Sequence, residues 1–247
     1  MKVQNIIYQG EDELKAFIEN EEIKDNNLLV QIFTGVCNKS FIKKVTASIK
    51  SLLPRATIIG TTTAGEIING EARENETVIS FSSFSRTRLE SSFISGNGED
   101  SFELGRKLGR ELISDSTKAI IMFSDWSNIQ DGVLDGLNSI DDSVVIAGGK
   151  AGDNFEFAFK NNYIFLNERV SAHGLVGVAL NSSRLKVYSD YNLGWQKIGK
   201  KMQVTKSEGN RVYEIDGKSA AISMRSIWAK KLPNDCLRLP GRNFHSS

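Results

Sequence analysis

The sequence predicts an α/β fold in which a strand–helix–strand–hairpin unit occurs twice, the internally duplicated units forming a mixed β-sheet with flanking helices. Three observations predict it. First, Ile58-Ile59-Gly60-Thr61-Thr62-Thr63-Ala64-Gly65-Glu66 returns as Val145-Ile146-Ala147-Gly148-Gly149-Lys150-Ala151-Gly152-Asp153, each an apolar run, a turn, then Ala-Gly and a carboxylate. Second, apolar runs of strand length alternate with stretches whose apolar residues recur at helical spacing. Third, ISFSSFSRTRLESSF and VGVALNSSRLKVYSD share one order: strand, small polar link, Arg-Leu, strand. The copies lie about 90 positions apart, beyond the roughly 20–50-residue period of solenoids. A doubled half-domain packed about a shared crevice is implied, and such crevices bind small ligands.

The elements follow in order. Glu11–Glu19 reads as a short helix with Leu14, Phe17 and Ile18 on one face. Leu28–Thr34 suits a buried strand. The next helix, Asn38–Leu53, has Asn38 or Ser40 as its cap, turns Phe41, Val45, Ile49 and Leu52 inward, and stops at Pro54. Thr57–Gly60 is a strand leading into the threonine turn, and Thr77–Phe84 with Arg88–Ile94 alternates as an antiparallel hairpin. A connecting helix, Glu99–Ile113, opens the second half, with Gly105 and Gly109 spaced for close helix packing. Then come a strand at Lys118–Phe123 and a helix at Asn128–Ile140, with Ile129, Val133, Leu134, Leu137 and Ile140 inward. Ser143–Ala147 is a strand ending in a Gly148-Gly149 turn, and Tyr163–Leu166, Leu175–Leu180 and Leu185–Asp190 are further strands.

Composition narrows the function classes. The 247 residues, 40% of them hydrophobic, suit one large domain or two tightly joined halves. A net charge of +1 without a basic stripe argues against nucleic acid as partner. No apolar run approaches the roughly 20 residues needed to cross a bilayer, and MKVQNIIYQGEDE lacks the apolar core of a signal peptide. No membrane partner and a cytoplasmic location are expected. The two cysteines, Cys37 and Cys236, make neither a disulfide framework nor zinc spacing.

The C-terminus reads differently from the rest. Two of the three prolines (Pro233, Pro240), Cys236 and His245 fall in the last 15 residues, which show no period. A shifted reading frame over the same stretch yields an amphipathic helix, so residues 222–247 are expected to be an out-of-frame tail that truncates a longer product. Upstream, IIGTTTAGEIINGE, VVIAGGKAGD, GLVGVALN and GWQKIGKKMQVTKSEGNRVYEIDGKSA together resemble the N-terminal part of the FIST family of prokaryotic sensory domains. The resemblance covers roughly residues 25–221. The expected organisation is an N-terminal extension over 1–24, a sensory domain over 25–221 with repeats at about 25–98 and 115–195, and the tail. The resemblance implies a signal-input domain, not an enzyme, that senses an amino acid or related polar metabolite. It also implies a separate output partner: a histidine kinase, a chemoreceptor or a cyclic-di-GMP enzyme. Some members of the family bind haem and respond to nitric oxide, which supplies an alternative reading; otherwise no cofactor is expected.

The candidate chemistry centres on the two acid-bearing turns. Thr62 and Thr63 offer hydroxyls and amides after a strand, and Glu66 and Asp153 would pair with a ligand ammonium through charge-assisted bonds. Lys150, or Arg73 nearby, would take a carboxylate; together they suit a zwitterion. The same turns also serve a simpler purpose, as chain reversals holding the halves together. Gly194-Trp195 places an indole where it would stack on a ligand or pack internally; the family often has a small residue or cysteine at the position of Trp195. His173 is the alternative axial haem ligand. Cys37, between a strand and a helix, leaves a second alternative, a thiol-dependent amidohydrolase with His173 as its base.

Overall fold

The computed structural model describes residues 1–96, 98–126, 132–153, 162–190, 194, 201–208 and 211–228. The chain divides into two units, Met1–Asp190 and Tyr191–Ser247. The first unit runs β1 (Lys2–Ile7), α1 (Glu11–Asn20), β2 (Leu28–Thr34), α2 (Lys39–Leu52), β3 (Thr57–Thr62), β4 (Glu66–Ile68), β5 (Glu71–Arg73) and β6 (Thr77–Ser83). It continues as β7 (Arg88–Ile94), α3 (Ser101–Leu112), β8 (Thr117–Ser124), α4 (Gly132–Asn138), β9 (Val145–Lys150), β10 (Ile164–Leu166), β11 (Arg169–Ser171) and β12 (Leu175–Asn181). The second eight elements repeat the first eight in kind and order.

The fold is α/β, and its two large sheets share one topology. One is ordered β1-β6-β2-β3 and extended by β10-β11; the other is ordered β7-β12-β8-β9. In each, the third and fourth strands are parallel (β2 with β3, β8 with β9), because a helix carries the chain across. The strand preceding each unit's first helix pairs antiparallel with the unit's last strand (β1 with β6, β7 with β12).

Three apolar clusters order the layers. Ile42, Val45 and Ile49 of α2 and Leu14 and Ile18 of α1 pack on Val30, Ile32, Ile58, Ile79 and Phe81 of the first sheet. Leu104, Leu108 and Leu112 of α3 and Val133 and Leu137 of α4 pack on Ile120, Met122 and Ala179 of the second. Leu29, Ile59, Phe123, Val176 and Val178 fill the space between the sheets. The order is therefore helices, sheet, sheet, helices. It explains why β2, β6 and β12 read as almost unbroken apolar or small-residue runs: both of their faces are covered.

The caps are local sequence effects. The Asn38 side chain accepts from the amides of Ser40 and Phe41, and that of Asp100 from Phe102 and Glu103. Asn38→Ala removes the first cap at a cost of about 1 kcal/mol. A thermal melt should show a fall of roughly 2–4 °C in the unfolding midpoint. Gly105 and Gly136 hold the α3–α4 seam: a Cβ at Gly105 would lie 2.1 Å from the Val133 carbonyl oxygen, and one at Gly136 2.0 Å from that of Phe102.

Several expected elements are corrected. The two hairpins do not form. β6 and β7 lie in different sheets, since β6 is taken between β1 and β2 and β7 is the edge partner of β12. Residues 185–190 form no strand. Each unit thus begins with a strand and helix, β1–α1 or β7–α3, and residues 1–24, expected as an extension, hold the first such pair. Thr61 and Thr62 belong to β3 and not to a turn. Gly148 and Gly149 continue β9, with Gly148 at φ +146°, where a Cβ would meet the Met122 carbonyl oxygen at 1.7 Å. Leu134, expected inward, is exposed. Residues 128–131, including Ile129, lie outside the described residues.

The second unit holds a three-stranded antiparallel sheet, β13 (Val204–Glu208), β14 (Arg211–Ile215) and β15 (Lys218–Ser219), followed by α5 (Ala220–Trp228). A tight turn at Asp216 and Gly217, both at positive φ, reverses the chain between β14 and β15. Residues 229–247, most of the expected tail, lie outside the described residues.

Candidate functional site

The parallel strands β2, β3, β8 and β9 deliver their carboxyl ends to Thr34-Gly35, Thr62-Thr63, Ser124-Asp125 and Lys150-Ala151. Carboxyl ends of parallel strands are where open α/β sheets present ligand sites. Here the two acid-bearing turns meet. The Gly152 amide donates to the Thr62 carbonyl at 2.8 Å, and the Ala151 amide donates to the Ser124 carbonyl at 2.8 Å. On the other side the Thr63 amide donates to the Thr34 carbonyl at 2.9 Å.

Glu66, the first residue of β4, is only 2% exposed. Its carboxylate accepts from the Thr63 hydroxyl and, at 3.1 Å, from the Glu76 amide. Burial pushes its carboxyl above the usual carboxylate range, against the lowering effect of those two bonds. Among the described residues, no lysine or arginine makes an ion pair with it. Opposite Glu66 in the β4–β5 ladder stands Arg73. Its terminal nitrogen donates to Glu71 at 2.8 Å, while its Nε is buried with no hydrogen-bond partner among the described residues. The site therefore holds a buried acid without a cation and a guanidinium nitrogen without an acceptor.

The second unit of the repeat solves the same geometry with a different acid. Asp125 follows β8 at the place that Gly35 takes after β2. Its carboxylate accepts from the Gly174 amide at 2.7 Å, the amide preceding β12, just as Glu66 holds the Glu76 amide preceding β6. Gly35 makes room for this: a Cβ there would lie 3.2 Å from the Glu66 carboxylate and 2.7 Å from Asn75 Cα. Asp153 is 0% exposed. Sequence reasoning missed Asp125, although an acid directly after an apolar strand, opposite glycine in the sister copy, was a visible signal.

The other candidates are placed as follows. Thr62 is buried, and its polar atoms are engaged inside the chain: its amide donates to the Tyr163 carbonyl at 2.9 Å and its hydroxyl accepts from the Tyr163 amide at 2.9 Å. It fastens β3 to the segment before β10. Thr63 is half-buried and Lys150 ends β9 in an exposed position. Gly194 belongs to the second unit, is exposed and has φ +65°. Trp195 lies outside the described residues. His173 is exposed on the turn before β12, where its amide donates to the Ser171 hydroxyl at 3.1 Å. Cys37 is half-buried. The helix amides that would stabilise a thiolate beside it are already bonded to Asn38.

Among the described residues, no helix is long and apolar enough to cross a membrane, and no group of three metal-ligating side chains is found. The FIST N domain family matches residues 28–218 of the chain. An uncharacterised protein of Methanocaldococcus jannaschii is 26% identical over 239 residues, which cover 88% of this chain and 45% of the relative. The chain thus spans less than half the length of that relative. Among solved structures, the chain resembles cyanuric acid hydrolase from A. caulinodans at 10% identity, with a TM-score of 0.40 over 74% of this chain and 67% of the other. A second cyanuric acid hydrolase structure gives 10% identity, a TM-score of 0.35 and the same coverage.

Proposed function

The chain belongs to the FIST N domain family of signal-transduction sensory domains, and from that premise we propose that it is the input module for a small zwitterionic metabolite, an amino acid or close relative. The observation that carries this reading is the pair on one hairpin: a buried Glu66 without a cation and a buried Arg73 Nε without an acceptor. The ligand ammonium joins Glu66, and the ligand carboxylate joins Arg73, with Lys150 as a second cation. Thr63 holds the Glu66 carboxylate, and Asp153 adds negative charge from the adjoining turn. The module binds and signals without catalysing a reaction, and it passes its state to an output protein.

A ligand that supplies both charges removes two burial penalties at once. It binds the folded chain and not the unfolded one, so it raises the melting point. A thermal-shift screen of the common amino acids should find at least one whose saturating addition stabilises the protein. At about 100 times the dissociation constant, the gain is about 2.7 kcal/mol, or roughly 5–11 °C for a chain of this size. A protein whose midpoint stays fixed with every amino acid at millimolar concentration would not be an amino-acid sensor.

A further inference from the structure

The duplication leaves one hairpin and one sheet edge unmatched. The hairpins β4–β5 and β10–β11 are equivalents: each pairs three residues with three, and each turns through an asparagine at positive φ, Asn69 at 54° and Asn167 at 52°. β10 adds to the free edge of β3, with Ile164 opposite Thr61, Phe165 opposite Gly60 and Leu166 opposite Ile59. In that position Phe165 and Val170 face the α2 core, and Phe165 is 0% exposed. β9 is the counterpart of β3, yet among the described residues no strand pairs with its outer edge. β4–β5 is the counterpart of β10–β11, yet its strands pair only with each other.

The side chains show the same gap. Ile67, which corresponds to Phe165, is 77% exposed, and Ala72 beside it is exposed too. Along the helices, Val45 and Ile49 of α2 match Val133 and Leu137 of α4, so the fully buried Thr46 corresponds to Leu134. Leu134 is 50% exposed. β9 presents Ala147, Gly148 and Gly149 to solvent. One hairpin with an uncovered apolar face and one open edge beside an uncovered leucine fit each other as β10–β11 fits β3 and α2.

We propose that this hairpin adds to β9 of a second copy of the chain. The donor and the acceptor sit on the same polypeptide, so each copy donates to one neighbour and accepts from one; the contact is head-to-tail and needs a rotation that closes. The register follows from the intrachain pair: Glu66 opposite Gly149, Ile67 opposite Gly148, Ile68 opposite Ala147. Ile67 and Ala72 then cover Leu134 of the other copy. Main-chain hydrogen bonds along the edge supply affinity, and Ile67 over the small Gly148 supplies specificity, as Phe165 lies over Gly60. Val145–Gly149 would otherwise be an unprotected edge, a recognised aggregation hazard.

Single-cysteine variants test the register. Ile68→Cys and Ala147→Cys are made separately with Cys37→Ser and Cys236→Ser, mixed and mildly oxidised. The expected product is a disulfide dimer containing one copy of each, absent when Asp142→Cys replaces Ala147→Cys. Light scattering of the parent chain should give a mass of two or more copies at roughly 100 μM, well above micromolar dissociation constants. Ile67→Lys should return it to one copy while its far-UV circular dichroism stays that of the parent, since Ile67 is exposed in its own chain. A parent that is monomeric at that concentration overturns the proposal and leaves the edge to a further unit of this design in a longer polypeptide. An assembly that survives Ile67→Lys, or that fails to crosslink in this register, also overturns it.

Discussion

Gly60→Ala should lower the unfolding midpoint by roughly 6–12 °C, the shift expected for about 3 kcal/mol in a domain of this size. A Cβ at Gly60 would lie 2.3 Å from two ring carbons of Phe165 and 2.4 Å from the Ile32 carbonyl oxygen. Two different obstacles make the effect large. The ring belongs to β10, the strand that ties the second half of the repeat to the first sheet, so moving it opens the seam. The carbonyl is backbone in β2 and cannot move without disturbing a central parallel pair. Phe165→Leu should therefore restore only part of the loss, because it clears the ring and leaves the carbonyl. Melts of the two single variants and the double variant measure this directly. A Gly60→Ala protein that melts with the parent would mean that the β3–β10 seam is looser than described.

Glu66→Gln should make the protein more stable near neutral pH and deaf to its ligand. Burial raises the Glu66 carboxyl, so the folded chain favours the neutral acid. The stability from this group is full below the unfolded carboxyl's pKa and is lost as pH rises through the raised folded value. Glutamine stays neutral throughout: its carbonyl accepts from the Glu76 amide and its amino group donates to the Thr63 hydroxyl. The variant should thus melt higher than the parent at about pH 8, and the gap should close at about pH 4. For the ligand the sign reverses. Losing a charge-assisted bond to an ammonium costs about 1.5–3 kcal/mol, or roughly 10- to 150-fold in affinity. A gain in stability with a loss of binding marks a residue held in place for function.

The legible part of the fold was what periodicity and small motifs encode. β2 was read to the residue, Asn38 is one of the two caps expected, and the Gly105 spacing marked a helix seam. The duplicated Ala-Gly-acid turns were legible as well, and they meet through the Gly152–Thr62 bond. Strand partnership was not legible. A short link between two alternating runs favours a hairpin on local grounds. Yet β6 carries small and apolar residues on both faces because it lies inside a sheet, and the link Phe84–Thr87 carries the chain into the other sheet. Missing this shifted both repeat boundaries and hid β1–α1, whose partner strand lies some 75 residues downstream. At the site, Glu66 and Asp153 could be chosen from the repeat itself. The use of Thr62 as an internal fastener, and of Asp125 as the sister of Glu66, depended on pairings that no local pattern specifies.

Calorimetric titration of the stabilising amino acid, in two buffers of different ionisation enthalpy, tests the central claim most directly. An ammonium seated on Glu66 favours the carboxylate, so binding should release protons wherever the raised carboxyl is still partly protonated. The heats should then differ between buffers for the parent and agree for Glu66→Gln, which should bind at least about 10-fold more weakly. Equal affinity in parent and variant, or binding heats in the parent that ignore the buffer at every pH, would contradict a zwitterion site built on Glu66.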